Sequence, residues 1–561
     1  MKKRIHWSPT GACAALVLSL GGPAVAQPPD ARAEKQKEIL REAFEKIPRA
    51  RQRLLSGGAL NLAAWAREVV EHEGPGEEGA RVAAPARGLR DAGLAHHDGE
   101  PVRVNDPSTD FTRSVIAGFT QSETSTAWCG DTVVVGFNDS GSLLETQTSS
   151  GGLSFNGVAR STNRGRSFTD VGFLNPGPDF FAQLSGDPVV VCSSPTRFQY
   201  SSIFMLFSGP TPLSGMSVST STDGGATWGN PVLAVGKDID EHFLDKEWMA
   251  IDPGDASKLY LTYTDFGNFD TDPTCPQDFP TSIELVRSTD GGLTWSAPIV
   301  LDRVCGGNAA VQGSQVVVGP SGDVNVAWER ISQFVIRSHA FRRSTDGGLT
   351  FGPTVEVSDV TCVGDCFALQ GGFRSGLEFP MLAVDRSDKS TAGNLYLAWH
   401  DGRNKQVPDE GAPLGVYGYA DILVSRSSDR GATWSAPVTA NRDRASGMTD
   451  QYQPGIAVDK RGRVGVCYYD RSLDADNFKI TRSCGLSKDA GERWSFERIT
   501  DRKDDFAPFH GSDAFVNPFY MGDYDSLAAD MLLGRSGFVG AFLIEEFQGN
   551  QNVFANRVDI D

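Results

Sequence analysis

Basic residues are scarce in this chain. Fifty-two lysines and arginines face 71 aspartates and glutamates, a formal charge of −19. That deficit excludes broad binding to nucleic acid, which depends on cations displacing phosphate counterions, and a polybasic grip on anionic lipid. Beyond the amino end no apolar run is long enough to span a bilayer as a helix, so no transmembrane anchor is expected. Histidine is sparse, 8 in 561 residues, and scattered. The sequence contains no His-Glu-x-x-His, no Gly-x-Ser-x-Gly elbow and no Walker phosphate loop. Acidic loop oxygens would suit Ca2+, but there is no EF-hand loop, and no cofactor or metal is expected.

Several features stand against these absences. Met1-Lys2-Lys3-Arg4 is basic, Ala12–Leu20 is short and apolar, and Ala24-Val25-Ala26 offers small residues for cleavage. This is the pattern of a secretory signal over residues 1–26, and it predicts a secreted or periplasmic protein. Its removal takes three cations and no acid, leaving 49 − 71 = −22. Eight cysteines follow, an even number that suggests disulfides in an exported chain. Sequence order suggests the local pairs 129–192, 275–305, 362–366 and 467–484, out of 105 possible connectivities.

Residues 27–72 read as a helical leader. Ile39, Leu40, Ala43, Phe44 and Ile47 recur near helical spacing, and Pro48 breaks or kinks the helix. Residues 73–113, rich in Gly, Pro, Ala and charge, read as a linker. From residue 114 to 561 the pattern is of strands. Glycine is in excess there: 62 of 561 residues, about 11% against a usual ~7%, implying many tight turns.

One phrase recurs through this region. Ser221-Thr222-Asp223-Gly224-Gly225-Ala226-Thr227-Trp228 returns at 288–295, at 344–351 with Phe351 in place of Trp, and at 427–434. Degenerate copies start at Ser161 and Ser487. The starts lie 60, 67, 56, 83 and 60 residues apart, a period of stacked supersecondary units. Asp accepts hydrogen bonds from turn amides, Gly supplies positive φ, and the aromatic plugs the sheet, so these aspartates shape turns.

The phrase resembles the Asp-box, or bacterial neuraminidase repeat, of sialidases and related β-propellers. The resemblance implies an all-β propeller of four-stranded blades, with the boxes between third and fourth strands, away from the active face. Counting strand pairs such as Val316–Val318 with Val324–Trp328 gives seven units, six followed by a box. Six blades, the number in sialidases, is the alternative.

On the opposite face, second strands end and first strands begin. Polar residues recur at those positions: Asp139, Asp265, Glu329-Arg330, Asp401-Gly402-Arg403, Asp470-Arg471 and Glu545 at ends, and Asp187, His242, Asp245-Lys246-Glu247, Glu378, Gln453 and Asp523-Tyr524 at starts. Arg330, Arg403 and Arg471 follow aromatic residues in three successive units. Three guanidinium groups facing one axis would clamp a carboxylate, as the three arginines of sialidases do. The same arginines would otherwise tie loops together by pairing with Glu329, Asp401 and Asp470. By the resemblance, Tyr524 is the nucleophile, Glu545 or Glu329 its base, and Asp245 or Asp265 the acid/base. The family's early Arg-Ile-Pro motif is absent from the first unit; Lys46-Ile47-Pro48, in the leader, is the nearest string. The sequence therefore points to a sialidase-like hydrolase of acidic glycans, or alternatively to a non-catalytic propeller that binds glycan or protein in a structural surface role.

Overall fold

A computed structural model describes residues 29–47, scattered positions from 52 to 66, residues 101–109, and residues 120–559 apart from 148–150, 268–279 save Cys275, 372, 375–376, 443–446, 501–520 save Asp513, and 548–549. The expected signal segment and most of the linker lie outside the described residues. Seven sheets follow one another along the chain, each antiparallel at its core, and they form a seven-bladed propeller. The count of seven therefore holds over six.

Blade one is Gln121–Cys129, Thr132–Asp139, Asn156–Ser161 and Thr169–Phe173. Blade three is His242–Asp252, Asp255–Gly267, Thr281–Ser288 and Ile299–Val304; blade four is Ala309–Val318, Val324–Ser332, Ile336–Ser344 and Val355–Val360. Blade five is Met381–Val384, Leu395–Pro408, Val416–Ser427 and Val438–Thr439; blade six is Gln451–Val458, Val464–Asp470, Thr481–Ser487 and Ser495–Arg498. In blade two the inner strand is broken into Ala182–Leu184 and Val189–Cys192, both paired with Phe198–Leu206, and Leu213–Ser221 and Val232–Asp238 complete it. Leu153–Ser154 adds a short parallel edge to that sheet.

Burial explains the sequence pattern. Val464–Asp470 is buried at every position because a central strand is covered on both faces by neighbouring blades. Ser495–Arg498, an outermost strand, is exposed at every position. The continuous Val, Ile and Tyr runs mark inner pairs, and the rim strands lack that signal.

The ring closes through the chain's two ends. Val102–Arg103 is the outer strand of the last blade, paired with Asn550–Val558, which pairs with Phe538–Phe547 and then Leu527–Ala528. This corrects the linker boundary, since a two-residue strand is too short to show a period. Asn105 fastens the closure. Its Oδ1 accepts from the Val553 amide at 2.8 Å, and its Nδ2 donates to Asn552 at 2.9 Å and Gln121 at 3.2 Å.

The repeated phrase forms a tight turn between third and fourth strands. In the 288–295 copy Asp290 Oδ1 accepts from the Leu293 and Thr294 amides at 3.0 and 2.9 Å, and the Gly292 amide donates to Ser288 Oγ at 2.9 Å. The Thr294 hydroxyl, then the Thr294 amide and Ser288, hold the carboxyl of Asp290 down at about 2, and against the opposing effect of burial the same set from Thr227 and Ser221 holds Asp223 at about 2. Each turn presses on the preceding blade. A Cβ on Gly431, at φ +87°, would stand 2.1 Å from the Phe341 ring of blade four, so glycine is required there. All four locally ordered disulfides form, Cys129–Cys192 joining the inner strands of blades one and two. Among the described residues no helix is long and apolar enough to cross a membrane.

Asn105→Ala removes three buried hydrogen bonds at the closure and strands the Val553 amide. The expected cost is about 3 kcal/mol. Urea unfolding should show it as a lower midpoint with an unchanged slope.

Candidate functional site on the propeller axis

The inner strands share an irregularity. Their register jumps from Ser122 to Ser125, Asp245 to Trp248, Gln312 to Gln315 and Tyr452 to Gly455. The skipped residues include Glu123, Lys246, Gly313 and Gln453, all at φ between 49° and 66°. In blade two Asp187, at φ 55°, occupies the break in the inner strand, and Gly522, at φ 106°, precedes that of the last blade. Left-handed backbone is unfavourable for Glu, Asp, Lys and Gln, and its recurrence at one level of successive blades marks a functional constraint. A bulge re-aims consecutive side chains, here into the propeller's centre.

Five carboxyl groups gather there: Glu123, Asp187, Asp245, Glu247 and Asp523, none more than 3% exposed. Glu123 accepts from Asn138 Nδ2 at 2.9 Å and from the Asp523 amide at 2.8 Å, while Asn138 Oδ1 accepts from the Asp187 amide at 3.0 Å. The Glu123 and Asp187 carboxyls lie close enough to act on each other's ionisation. Neighbouring buried carboxyls oppose one another's charged forms. Burial, then the charges of Asp187 and Asp523, push Glu123 well up. Burial, then the charge of Asp245, pushes Asp187 up to about 7, and burial pushes Asp245 up to about 6. Glu247 is pushed well up, chiefly by burial.

A lysine stands among them. The Lys246 ammonium lies 3.4 Å from the Tyr524 ring centroid and within 6 Å of the Trp248 and Phe379 rings. Tyr524 donates its hydroxyl to the Pro188 carbonyl at 2.9 Å, and burial with the charges of Asp187 and Glu123 raises its phenol far above the ordinary range.

The leader lies against this site. Its helix, Pro29–Lys46, and the residues after it bury Leu40, Phe44, Ile47, Leu55 and Leu62 in one core with Phe243, Leu244, Leu377 and Phe379. The Phe44 and Phe243 rings are 5.0 Å apart. Ser56 donates its amide to Asp245 Oδ2 at 2.8 Å and its hydroxyl to Oδ1, and Gln312 donates to Oδ2 at 2.9 Å. Arg374 joins the Leu55 carbonyl at 2.7 Å to Asp523 at 3.3 Å. The chain's own amino-terminal segment therefore occupies Asp245 and shields the carboxyl cluster.

The sequence-derived residues fall into separate places. Asp245 and Tyr524 belong to the axial cluster, as do Asp187, Lys246, Glu247 and Asp523, which the sequence marked as strand starts. The three arginines do not assemble into a clamp. Arg330 is engaged by Asp302 at 2.6 Å and Glu356 at 2.7 Å, on the outer strands of blades three and four. Arg403 is engaged by Asp401 and by Ser358 and the Asp359 carbonyl of blade four's outer strand. Arg471 is wholly buried, its guanidinium over the Phe373 and Tyr452 rings and 3.4 Å from Asp450. Of the neighbouring acids named in the loop-tying alternative only Asp401 is met, by Arg403; Arg330 pairs with Asp302 and Glu356 rather than Glu329, and Arg471 with Asp450 rather than Asp470.

Asp265 is bound by Lys237 at 2.7 Å and His242 at 2.9 Å in a network with Glu284. Glu329 is buried beside Arg337, which also binds Glu378, in a different cluster. Glu545 pairs in register with Gln551, and its side chain lies outside the described residues. His400 is buried, accepts from the Gln453 amide and is pushed down to about 3 by burial, so it stays neutral. Glu123 was missed. It stands in the polar string Gln121–Ser125, and only alignment of the inner-strand starts, Glu123 with Asp187 and Lys246, would have found it.

The raised carboxyls fix a sign. A carboxyl whose folded pKa exceeds its unfolded value of ~3.9 contributes stability below that value and loses it as pH rises through the folded pKa. For Asp187 the window runs from about pH 4 to about 7. Asp187→Asn should leave the thermal midpoint flatter across pH 5–8 than in the unmodified chain, and higher at pH 8. A midpoint falling equally in both proteins would count against a raised Asp187 carboxyl.

No family model matches the chain, and no curated protein matches it. Among solved structures it is similar to a Hadza microbial sialidase, at 14% identity over 66% of this chain and 65% of the other, TM-score 0.39. It is similar to a Trypanosoma rangeli sialidase in complex with sialic acid, at 13% over 66% and 53%, TM-score 0.36. It is also similar to the α-L-arabinofuranosidase of Fusarium graminearum, at 13% over 69% and 97%, TM-score 0.42. The chain spans just under two thirds of the first and about half of the second. At such values these likenesses carry no argument about its chemistry.

Proposed function

We propose that this chain is an exported glycoside hydrolase whose catalytic carboxyls are those of the axial cluster, and that its leader holds it latent. The observation that carries the reading is the fully buried pair of Glu123 and Asp187, both raised above the ordinary carboxyl range, beside a separate buried carboxyl, Asp245. Glycoside hydrolysis needs a protonated carboxyl to protonate the leaving oxygen and a second carboxyl to activate water or form a covalent bond. Glu123, kept from ionising by burial and by the charge of Asp187, acts as the acid. Asp245 is the second group. A substrate hydroxyl or water takes the place now held by Ser56. Tyr524 and Lys246 form the wall. The phenol is neutral and already hydrogen-bonded, and the surrounding carboxyls oppose its ionisation, which disfavours it as the nucleophile.

The charge of the site selects the ligand. Five carboxyls face the axis, and the arginines expected to clamp an acidic sugar are engaged elsewhere. A neutral glycan fits this field better than a sialoside or uronide. The repeated turns are read as Asp-boxes, supported by their place between third and fourth strands. Export is supported by four disulfides, which persist in oxidising compartments. A second reading, a non-catalytic binding propeller, draws on the fact that the leader already occupies Asp245.

Chromogenic neutral and acidic glycosides offered to the full chain separate these readings. Phe44→Asp, which sets a charge against Phe243, should loosen the leader and raise turnover of a neutral glycoside at least tenfold. Adding Glu123→Gln should lower it by about a hundredfold or more, the usual worth of a general acid. A folded Phe44→Asp protein that cleaves no glycoside, or turnover indifferent to Glu123→Gln, would sink the hydrolase reading. Cleavage of acidic glycosides alone would overturn the neutral-ligand assignment.

A further inference from the structure

Blade five differs from its neighbours on the face that carries the axial cluster. Its second and third strands run past the register shift between Asp401 and Lys405, through the pairs Lys405–Tyr419, Gln406–Gly418, Val407–Tyr417 and Pro408–Val416. The extended hairpin rises beside the loop closed by Cys362–Cys366. The two are zipped backbone to backbone. Gly364 and Gly418 exchange amide–carbonyl bonds at 2.7 and 2.9 Å, and the Gly402 amide donates to the Thr361 carbonyl at 2.9 Å. A Cβ on Gly402 would stand 2.4 Å from the Cys362 carbonyl oxygen, and one on Gly418 2.8 Å. Glycine permits this approach, and the result is a fixed wall rather than a loose loop.

Between hairpin and loop lies a cleft of about 370 Å³, lined among others by Tyr417, Tyr419, Gln370, Asp365 and Asp409. Tyr417 is pinned: its hydroxyl donates to Asp450 at 2.9 Å and accepts from the Gln370 amide at 2.8 Å. Asp450 is in turn the partner of buried Arg471, so Arg471 positions the cleft's tyrosine. The Tyr419 ring meets the Tyr417 ring edge-on with centroids 4.9 Å apart. Asp365 and Asp409 each spend Oδ1 on turn amides and keep Oδ2 for another donor.

We infer that this cleft is a second, peripheral binding site for a neutral saccharide. Two tyrosine rings held from collapsing offer apolar faces to a sugar ring, and two carboxylates offer acceptors to its hydroxyl donors. Among the described residues no Lys or Arg lines the cleft, so phosphate, sulfate and uronate ligands find acids without a counter-charge there. The volume falls at the lower end of small-molecule pockets, suited to about one or two sugar units. The inference rests on the glycan reading for its ligand class, but none of the described residues lining the cleft belongs to the leader. The full chain should therefore bind sugar here even while the axial site is shielded.

The test is calorimetry and saturation-transfer NMR on the full chain with neutral gluco-, xylo-, galacto- and arabino-oligosaccharides and with matched uronic-acid oligomers. At least one neutral oligomer should bind. Tyr419→Ala should weaken it tenfold or more, Asp409→Asn severalfold, and Glu123→Gln not at all. Absence of neutral binding, preference for the uronic oligomers, or binding unchanged in both cleft variants would overturn the proposal. Binding lost in Tyr419→Ala together with a Phe44→Asp chain that cleaves nothing would keep the cleft and remove the hydrolase; the reverse pattern would do the opposite.

Discussion

A straight inner strand would aim alternate side chains at the two neighbouring blades and leave the axis lined by backbone. Here a left-handed residue interrupts that alternation in blade after blade, at Glu123, Asp187, Lys246, Gly313 and Gln453. The interruption turns carboxyl groups inward, where they are dry, close and mutually repelling. Everything unusual about the centre follows from that constraint. The raised carboxyls of Glu123, Asp187 and Asp245 and the ammonium of Lys246 over Tyr524 are all ways of making such crowding tolerable. The strain is sustained because each blade is stapled outside the axis, by its turn against the preceding blade and by Asn105 at the closure.

The leader belongs to the same economy of charge. Ser56 gives Asp245 two donors and Arg374 reaches Asp523, so part of the centre's electrostatic cost is met by a segment outside the propeller. A segment that stabilises carboxyls by occupying them is in the position a substrate would need. Under the proposed function latency and stability are coupled: loosening the leader frees Asp245 and removes donors that hold its charge.

How far the sequence revealed this depends on what each feature demands of it. The turns were legible because their geometry needs particular residues, Asp at one position and Gly at another. Inner strand pairs were legible because two covered faces need unbroken apolar runs. Rim strands such as Thr169–Phe173 and Val102–Arg103 are short and largely open to solvent, and leave no period. The site was half legible. Asp245 and Tyr524 follow from strand starts, but Glu123 sits in a polar string. The arginines were placed by neighbours in sequence, whereas their partners, Asp302, Glu356 and Asp359, come from outer strands whose positions the sequence did not show.

The central claim is a carboxyl that keeps its proton at neutral pH on the propeller axis. Infrared difference spectroscopy of the full chain near pH 6.5 observes that proton directly. The account predicts a protonated-carboxyl stretch that is lost in Glu123→Gln and shifts when Asp187 is changed to Asn. A spectrum with no such band, or a band unaffected by either substitution, would contradict it.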